Sequence, residues 1–437
     1  MLAETGTKRP SEDIRRTEEL SADDRIQAVF EGTFQHDNIL VQTDVLTRRP
    51  HGGWRLIEVK SSTKVKEHHP YDVGIQQYVL DALQIETSPR LMHLNPDYVY
   101  NGQALQLDKL FVISDIEGEV EKLLDQLPDL IRQQRAILSQ PAAPEIEPGP
   151  QCKNPVRCEF YNYCNHELPE DHASMLPSIS SKKLDQLSGK GIASVHDIPP
   201  DFPLSELQRR ARHCIRTQSP YFGEGLKERL GALHYPLLFM DFETLAPPIP
   251  RFSWMRPYDP IPFQWSVHIR NNPSGLLLHH EYLAEDESDP RLPFLTSLLQ
   301  AVGREGDIIV YNQSFESQRL AELARWFPGY AGPIAQLRAR LWDLLAVVRK
   351  YVYHPLFKGS FSLKRVLPAL VPEMTYEGME VSEGEEAGLT WERMGRGQVS
   401  RQERTRLRKA LLEYCCQDTL AMVRLLDCLA AAASGNS

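Results

Sequence analysis

The residues best equipped for chemistry in this 437-residue chain are carboxylates spaced so that two can share one face. In Leu237-Leu238-Phe239-Met240-Asp241-Phe242-Glu243-Thr244 an apolar run delivers Asp241 and Glu243 at a strand end, and the two-residue period of a strand turns both to one side. Val310-Tyr311-Asn312-Gln313-Ser314-Phe315-Glu316 reads as a strand passing into a helix, with Glu316 in the first helical turn. Tyr414-Cys415-Cys416-Gln417-Asp418 lies in a helical stretch, where four-residue spacing aligns Tyr414 with Asp418. Four carboxylates (Asp241, Glu243, Glu316 and Asp418) can hold two divalent ions about 3.5–4 Å apart, clamping both oxygens of an in-line phosphoryl transfer. Tyr414 would orient the attacking water. Two similar spacings lack that company: nothing downstream completes a site for Asp115 and Glu117, and Tyr282 and Asp286 stand at a strand end, where four-residue spacing does not align side chains. Asp343 is a nearby acid for which a structural role is expected.

A second group lies near the N-terminus. Glu58 and Lys60 are two apart on one expected strand and Asp44 ends its partner. Two carboxylates and a lysine at one spot form a hard-oxygen site for Mg²⁺ or Mn²⁺ beside a fixed positive charge, able to activate water and stabilise the anionic phosphorane of phosphodiester cleavage. A solvated strand face would carry the same residues. Three of the seven cysteines, Cys152, Cys158 and Cys164, fall within 13 residues. That distribution is unlike an extracellular disulfide framework and fits a reducing compartment. A zinc Cys3His site and three packing cysteines are the plain readings of the cluster, although zinc ribbons favour closer pairs.

These residues need elements to hold them. Residues 39–46 and 54–60 are rich in β-formers and flank a Pro-His-Gly-Gly turn, which predicts a hairpin. Residues 73–83 read as a helix, and apolar positions at helical spacing predict one long helix over 119–138. The proline-rich run 140–150 reads as an extended linker. Residues 184–199 have the pattern of a helix-hairpin-helix element, with a packing connector as the alternative, and 206–229 reads as helix. Strands are expected at 237–241, 263–269, 276–282 and 307–311, and helices at 291–303, 314–326, 362–370 and 402–432. The expected fold class is α/β, divided into a first α/β module at 1–140, a linker and cysteine cluster at 141–170, a helical connector at 171–234 and a mixed-sheet module at 235–432.

The order Asp44, then Ile57-Glu58-Val59-Lys60, then Gln76 and Tyr78 resembles the RecB-type branch of the PD-(D/E)XK nucleases over residues 26–168. The resemblance implies a restriction-endonuclease-like module in which Asp44 and Glu58 ligate metal, Lys60 assists catalysis, and Gln76 and Tyr78 complete the site. The Cys-x5-Cys-x5-Cys run resembles the iron–sulfur version of that family, including the CRISPR-adaptation nucleases. It implies a [4Fe–4S] cluster on three late cysteines and one early one. No cysteine precedes Cys152, so the expectation is either a chain short at its start or His166 as fourth ligand. The C-terminal set resembles the DEDD superfamily of 3′–5′ exonucleases over 235–430, in the subgroup with Tyr before the last Asp, which implies a ribonuclease-H-like fold. Ser362-Leu363-Lys364 fits a helix between its second and third motifs. Glu316 stands where that family usually has Asp, one methylene longer, which implies a metal site of shifted geometry. The whole resembles a bacterial domain-of-unknown-function family that fuses the two modules. It implies a Mg²⁺- or Mn²⁺-dependent nuclease of DNA, with RNA as the other substrate, in recombination, repair or defence. The rival readings are a nucleic-acid-binding scaffold with degenerate sites and a zinc-binding structural protein.

Composition constrains these readings. Apolar residues at 41% and charged residues at 25% are ordinary globular usage. No run reaches membrane-span length, and the charged start is no signal peptide, so a cytoplasmic protein with no membrane partner is expected. A net charge of -10 opposes indiscriminate nucleic-acid binding, yet residues 335–365 carry seven Lys or Arg against one acid, and 373–392 hold seven Glu and no base. A basic groove beside an acidic flap, or two solvated faces, would segregate charge in this way.

Overall fold

The computed structural model describes residues 2–4, 9–146, 149–152, 154–164 and 168–435, and it is a mixed α/β protein with two compact units. The first unit comprises residues 1–158 and 247–259, the second 159–246 and 260–437.

The first unit is built on β1 (Leu2–Glu4), α1 (Pro10–Ala22), β2 (Ala28–His36), β3 (Ile39–Arg48), β4 (Trp54–Lys60), α2 (His69–Ala82), β5 (Thr87–Leu94), α3 (Leu107–Leu110), β6 (Phe111–Asp115), α4 (Glu117–Leu124) and α5 (Leu127–Leu138). Its six strands lie in chain order, antiparallel except that β1 runs parallel to β2 and β4 parallel to β5. The β3–β4 turn depends on glycine: Gly53 has φ +71°, and a Cβ there would sit 2.9 Å from the Glu86 carbonyl oxygen. Val29, Leu46, Leu56 and Leu91 of the sheet join Val73, Val79, Leu80 and Val120 of α2 and α4 in one core. Residues 247–259 belong to this unit through backbone bonds of Met255 and Trp254 with Tyr100 (2.9 and 2.7 Å).

The second unit contains α6 (Tyr161–Cys164), α7 (Ser181–Ser188), α8 (Glu206–Thr217), β7 (Tyr221–Phe222), α9 (Leu226–Gly231), β8 (Leu237–Leu245), β9 (Ile261–Arg270), β10 (Leu277–Leu283), α10 (Arg291–Val302), β11 (Asp307–Val310), α11 (Gln313–Trp326), α12 (Ala331–Ala339), β12 (Leu341–Asp343), α13 (Leu344–Tyr351), β13 (Val352–Tyr353), α14 (Leu363–Leu370), α15 (Gly384–Gly395) and α16 (Arg401–Ala433). Its main sheet has the order β10-β9-β8-β11-β12. The meander β8–β9–β10 is antiparallel, and β11 and β12 run parallel to β8. Strand β8 is therefore central and apolar on both faces until Asp241, as its unbroken buried run Leu237–Met240 requires.

Three expected elements differ. The helix over 119–138 is two, α4 and α5, because Pro128 lacks an amide hydrogen and is accommodated in the first turn of a new helix. The helix over 206–229 stops at Thr217, where Gln218 adopts a left-handed cap and Pro220 follows, so that β7 and α9 occupy the remainder. In the helix-hairpin-helix candidate, α7 is present, but the second helix is a three-residue 3-10 turn, Val195–Asp197, capped by Ser194 and followed by Pro199-Pro200. The expected connector 171–234 is also not separate. Its Leu187, Val195, Ile198, Ala211 and Ile215 share one core with Phe239, Ile309, Leu344 and Met422. No helix among the described residues is long and apolar enough to cross a membrane.

Candidate active sites

In the second unit, β8 carries Asp241 and Glu243, α11 carries Glu316, and α16 carries Tyr414 and Asp418. Local chemistry sets each. A bulge in the β8–β9 ladder falls at Glu243/Thr244, a device that re-aims side chains at the end of a strand. Asn312, at φ 91°, turns the chain from β11 into α11, its amide held by Asp343 at 3.3 Å, and Glu316 follows in the first turn. Asp343 also caps α13 through the Ala346 amide at 3.2 Å. Ser400 caps α16.

The carboxylates are closely gathered, Asp241 half-buried and Glu243, Glu316 and Asp418 buried. Asp241, Glu243 and Cys415 offer potential ligand atoms within 4.8 Å of one another, and Glu316 and Asp418 are 1% and 8% exposed. Burial, reinforced by the Asp418 charge, pushes the Asp241 carboxyl up to about 8. Burial and the charges of Asp241 and Asp418 hold Glu243 well above the usual carboxylate range, and burial with Asp241 does the same to Glu316. Burial raises Asp418 to about 6, against the pull of Tyr376, Lys364 and Tyr414. One oxygen of Glu316, Oε2, is buried without a hydrogen-bond partner. All four acids offer hard oxygen, their charges repel, and one is orphaned; this donor set suits Mg²⁺ or Mn²⁺.

Two contributors escaped the sequence reading. Tyr376, inside the acidic stretch, donates to Asp418 Oδ1 at 2.6 Å. Lys364, at the start of α14, donates to the Tyr414 hydroxyl at 3.3 Å and to the Ser382 carbonyl, so a cation stands among the acids. The sequence marks Lys364 only as part of the expected Ser362-Leu363-Lys364 helix and of the basic excess over 335–365, other members of which serve elsewhere: Arg340, for example, binds the carbonyls of Gly303 and Gly306.

In the first unit, β3 and β4 part company at the site. Their ladder begins at Val45↔Ile57, while β4 continues against β5 through Glu58↔Leu91 to Lys60↔His93. Asp44 sits at the fork, where its Oδ2 accepts the Val59 amide at 2.6 Å. Lys60 Nζ reaches Glu58 Oε1 and Asp72 Oδ2, each at 2.7 Å, and Gln76 Nε2 donates to Glu58 Oε2 at 2.8 Å. Partial burial, with the nearby charges of Glu58 and Glu31, raises Asp44 despite the Val59 bond. Burial opposes the lysine charge, but Asp72 and Glu58 outweigh it and raise Lys60. Gln76 leaves a buried acceptor, Oε1, without a partner, which fits a cation held by Asp44 and Glu58. Tyr78 is not brought to these groups; two residues on from Gln76 it lies round the helix and packs against the apolar core. Glu31, at φ 57° where the β2–β3 register skips it, and Asp72 were not foreseen. Beside Lys60 a cleft of about 330 Å³ is lined by Ser62, Lys64, Lys66, His69 and Tyr258.

The other expected pairs are structural. Asp115 and Glu117 both bind Arg90, at 3.1 and 3.2 Å. All three clustered cysteines are free thiols, Cys152 buried and Cys158 and Cys164 half-buried, with Cys152 and Cys158 in the first unit and Cys164 in the second. His166 lies outside the described residues.

A family model described as a domain of unknown function, DUF2779, matches residues 238–362. The match takes in Asp241, Glu243 and Glu316 and stops short of Lys364, Tyr376, Tyr414 and Asp418. No nuclease family model matches. No curated protein and no solved structure matches the chain.

Proposed function

We propose that the protein is a metal-dependent nuclease acting on DNA, with a 3′–5′ exonuclease site in the second unit and a RecB-like site in the first. One observation carries the reading: Asp241, Glu243, Glu316 and Asp418, from one strand and two helices, are gathered so that burial opposes ionisation of all four and the neighbouring acids add repulsion at Asp241, Glu243 and Glu316. Divalent ions held by these four acids would neutralise that charge and clamp the attacking and leaving oxygens of phosphodiester hydrolysis. The remaining work falls to the chain's own groups. Tyr414 presents a hydroxyl for positioning water, and Lys364 orients that hydroxyl. Tyr376 holds Asp418 in place. In the first unit, Asp44 and Glu58 would hold a cation, Gln76 orients Glu58, and Lys60 supplies a fixed charge beside a cleft whose lysines suit a phosphate backbone.

The test is digestion of 3′- and 5′-labelled single-stranded DNA and RNA with Mg²⁺ or Mn²⁺. Asp241→Ala is expected to remove 3′–5′ degradation by at least about 100-fold, since loss of one ligand breaks the ion clamp. Lys60→Ala in that background is expected to lower the remaining cleavage by about 100-fold, through rate more than metal affinity. Digestion unchanged by Asp241→Ala would refute the assignment.

A further inference from the structure

Two residues before Asp418, helix α16 carries Cys416 into a group of softer chemical character. His268 on β9 and His279 on β10 are direct partners in the antiparallel ladder, with ring centroids 4.4 Å apart and planes inclined by 28°. Cys416 joins them, and the three offer potential ligand atoms that all lie within 4.8 Å of one another.

A chain of hydrogen bonds supplies an independent argument. The Thr419 hydroxyl lies 3.0 Å from the Cys416 carbonyl, which can only accept. With its proton directed there, Thr419 accepts from Ser266 Oγ and from His268 Nδ1, each at 2.8 Å. Ser266, its own proton thus engaged, accepts from His279 Nε2 at 3.0 Å. The protons therefore reside on Nδ1 of His268 and Nε2 of His279, and the opposite ring nitrogens keep their lone pairs. Neither of those two nitrogens has a hydrogen-bond partner among the described residues. Imidazoles held on one nitrogen by a hydroxyl, with the other open, are arranged as metal-bound histidines are.

We propose that His268, His279 and Cys416 form a zinc site that ties α16 to β9 and β10. Two imidazoles and a thiol favour zinc over the hard ions suited to the four carboxylates. Ligand atoms around tetrahedral zinc lie about 3.3–3.6 Å apart, given Zn–N of about 2.0–2.1 Å and Zn–S of about 2.3 Å, so small side-chain rotations close the site. The Glu281 carboxylate lies 4.0 Å from His279 Nε2, on the protonated side of that ring, so the fourth position on the metal falls to water. The site does not depend on the nuclease reading.

The experiment uses the full-length protein, stripped with chelator and titrated with Co²⁺, read by visible and near-ultraviolet absorption and by metal bound per chain. The expected result is a thiolate-to-cobalt charge-transfer band. Cys416→Ser should abolish that contribution and bind one metal fewer, and His279→Asn should weaken the same metal's affinity at least about tenfold. Metal-free melting curves check that each variant folds, and His279→Asn, on the half-exposed β10 strand, serves should Cys416→Ser fail that check. Asp241→Ala should leave the band intact, which separates this site from the carboxylates. A spectrum and stoichiometry unaltered in both folded variants, or no cobalt bound by the wild type, would overturn the proposal.

Discussion

Asp241 binds its proton far more tightly in the folded protein than in the unfolded chain: burial and Asp418 raise it from 3.8 to about 8. Between those values the native state holds more protons than the unfolded one, so the metal-free protein loses stability as pH rises from about 4 to about 8. Its melting temperature in EDTA is expected to be lower at pH 8 than at pH 5.5. Asp241→Asn, neutral throughout, should flatten that slope and raise the melting temperature at pH 8; a wild-type melting temperature that climbs over this interval would contradict the electrostatic account. Mg²⁺ should reverse the trend, because it replaces the bound proton. At this scale the pairing of Asp241 with Glu243 and of Tyr414 with Asp418 was legible, since strand and helix periods alone align them. Gln76 and Tyr78 were read as a pair, yet two residues on a helix point apart, and only Gln76 reaches Glu58.

Elements place these side chains, and Gly306 illustrates how narrowly. It precedes β11 with φ +78°, and a Cβ there would fall 1.8 Å from the carbonyl oxygen of Pro236, just before β8. Gly306→Ala must therefore shift backbone, not a flexible side chain, and is expected to cost at least about 2 kcal/mol. Urea denaturation would measure it, and a loss within 0.5 kcal/mol, about that of an ordinary surface substitution, would show that the β8–β11 junction is looser than its geometry implies. Strand positions 39–46 and 54–60 were legible to within a few residues because β-formers flank a turn composition there, and the helix expected at 291–303 is α10. Apolar periodicity across 119–138 concealed a break, because Pro128 fits the first turn of a new helix as readily as its neighbours fit the old one.

For the whole molecule, the boundaries expected from composition do not coincide with its units. Residues 171–234 contribute Leu187, Val195, Ile198, Ala211 and Ile215 to the core of the second unit. Each buried aliphatic side chain is worth about 1.5–3 kcal/mol, so removing four of them and Ala211 forfeits an amount comparable to a typical domain's margin of about 5–15 kcal/mol. A fragment starting at residue 235 is thus expected to show no cooperative thermal unfolding by circular dichroism, in contrast to the full chain. A cooperatively folded fragment would mean that 171–234 is a dispensable connector after all.

Sequence alone determined what depends on neighbours within a few positions: the α/β class, the strand that ends in Asp241 and Glu243, the helix turn bearing Glu316, and the hairpin that sets Glu58 and Lys60 on one side. These follow from periods of two and 3.6 residues, which are properties of local backbone. Tertiary structure decided everything that requires distant segments to meet. Tyr376 and Lys364 join Asp418 and Tyr414, 42 and 50 residues away, and the β2–β3 register, with Phe30↔Val45 and Gly32↔Thr43 on either side, brings Glu31 opposite Asp44. It also decided protonation, since the carboxyls of Asp241 and Glu243 are shifted by burial and by Asp418, almost two hundred residues along the chain. An apolar face or a charge carries no address in its own sequence; its partner is whatever the packing of the remaining chain brings within reach.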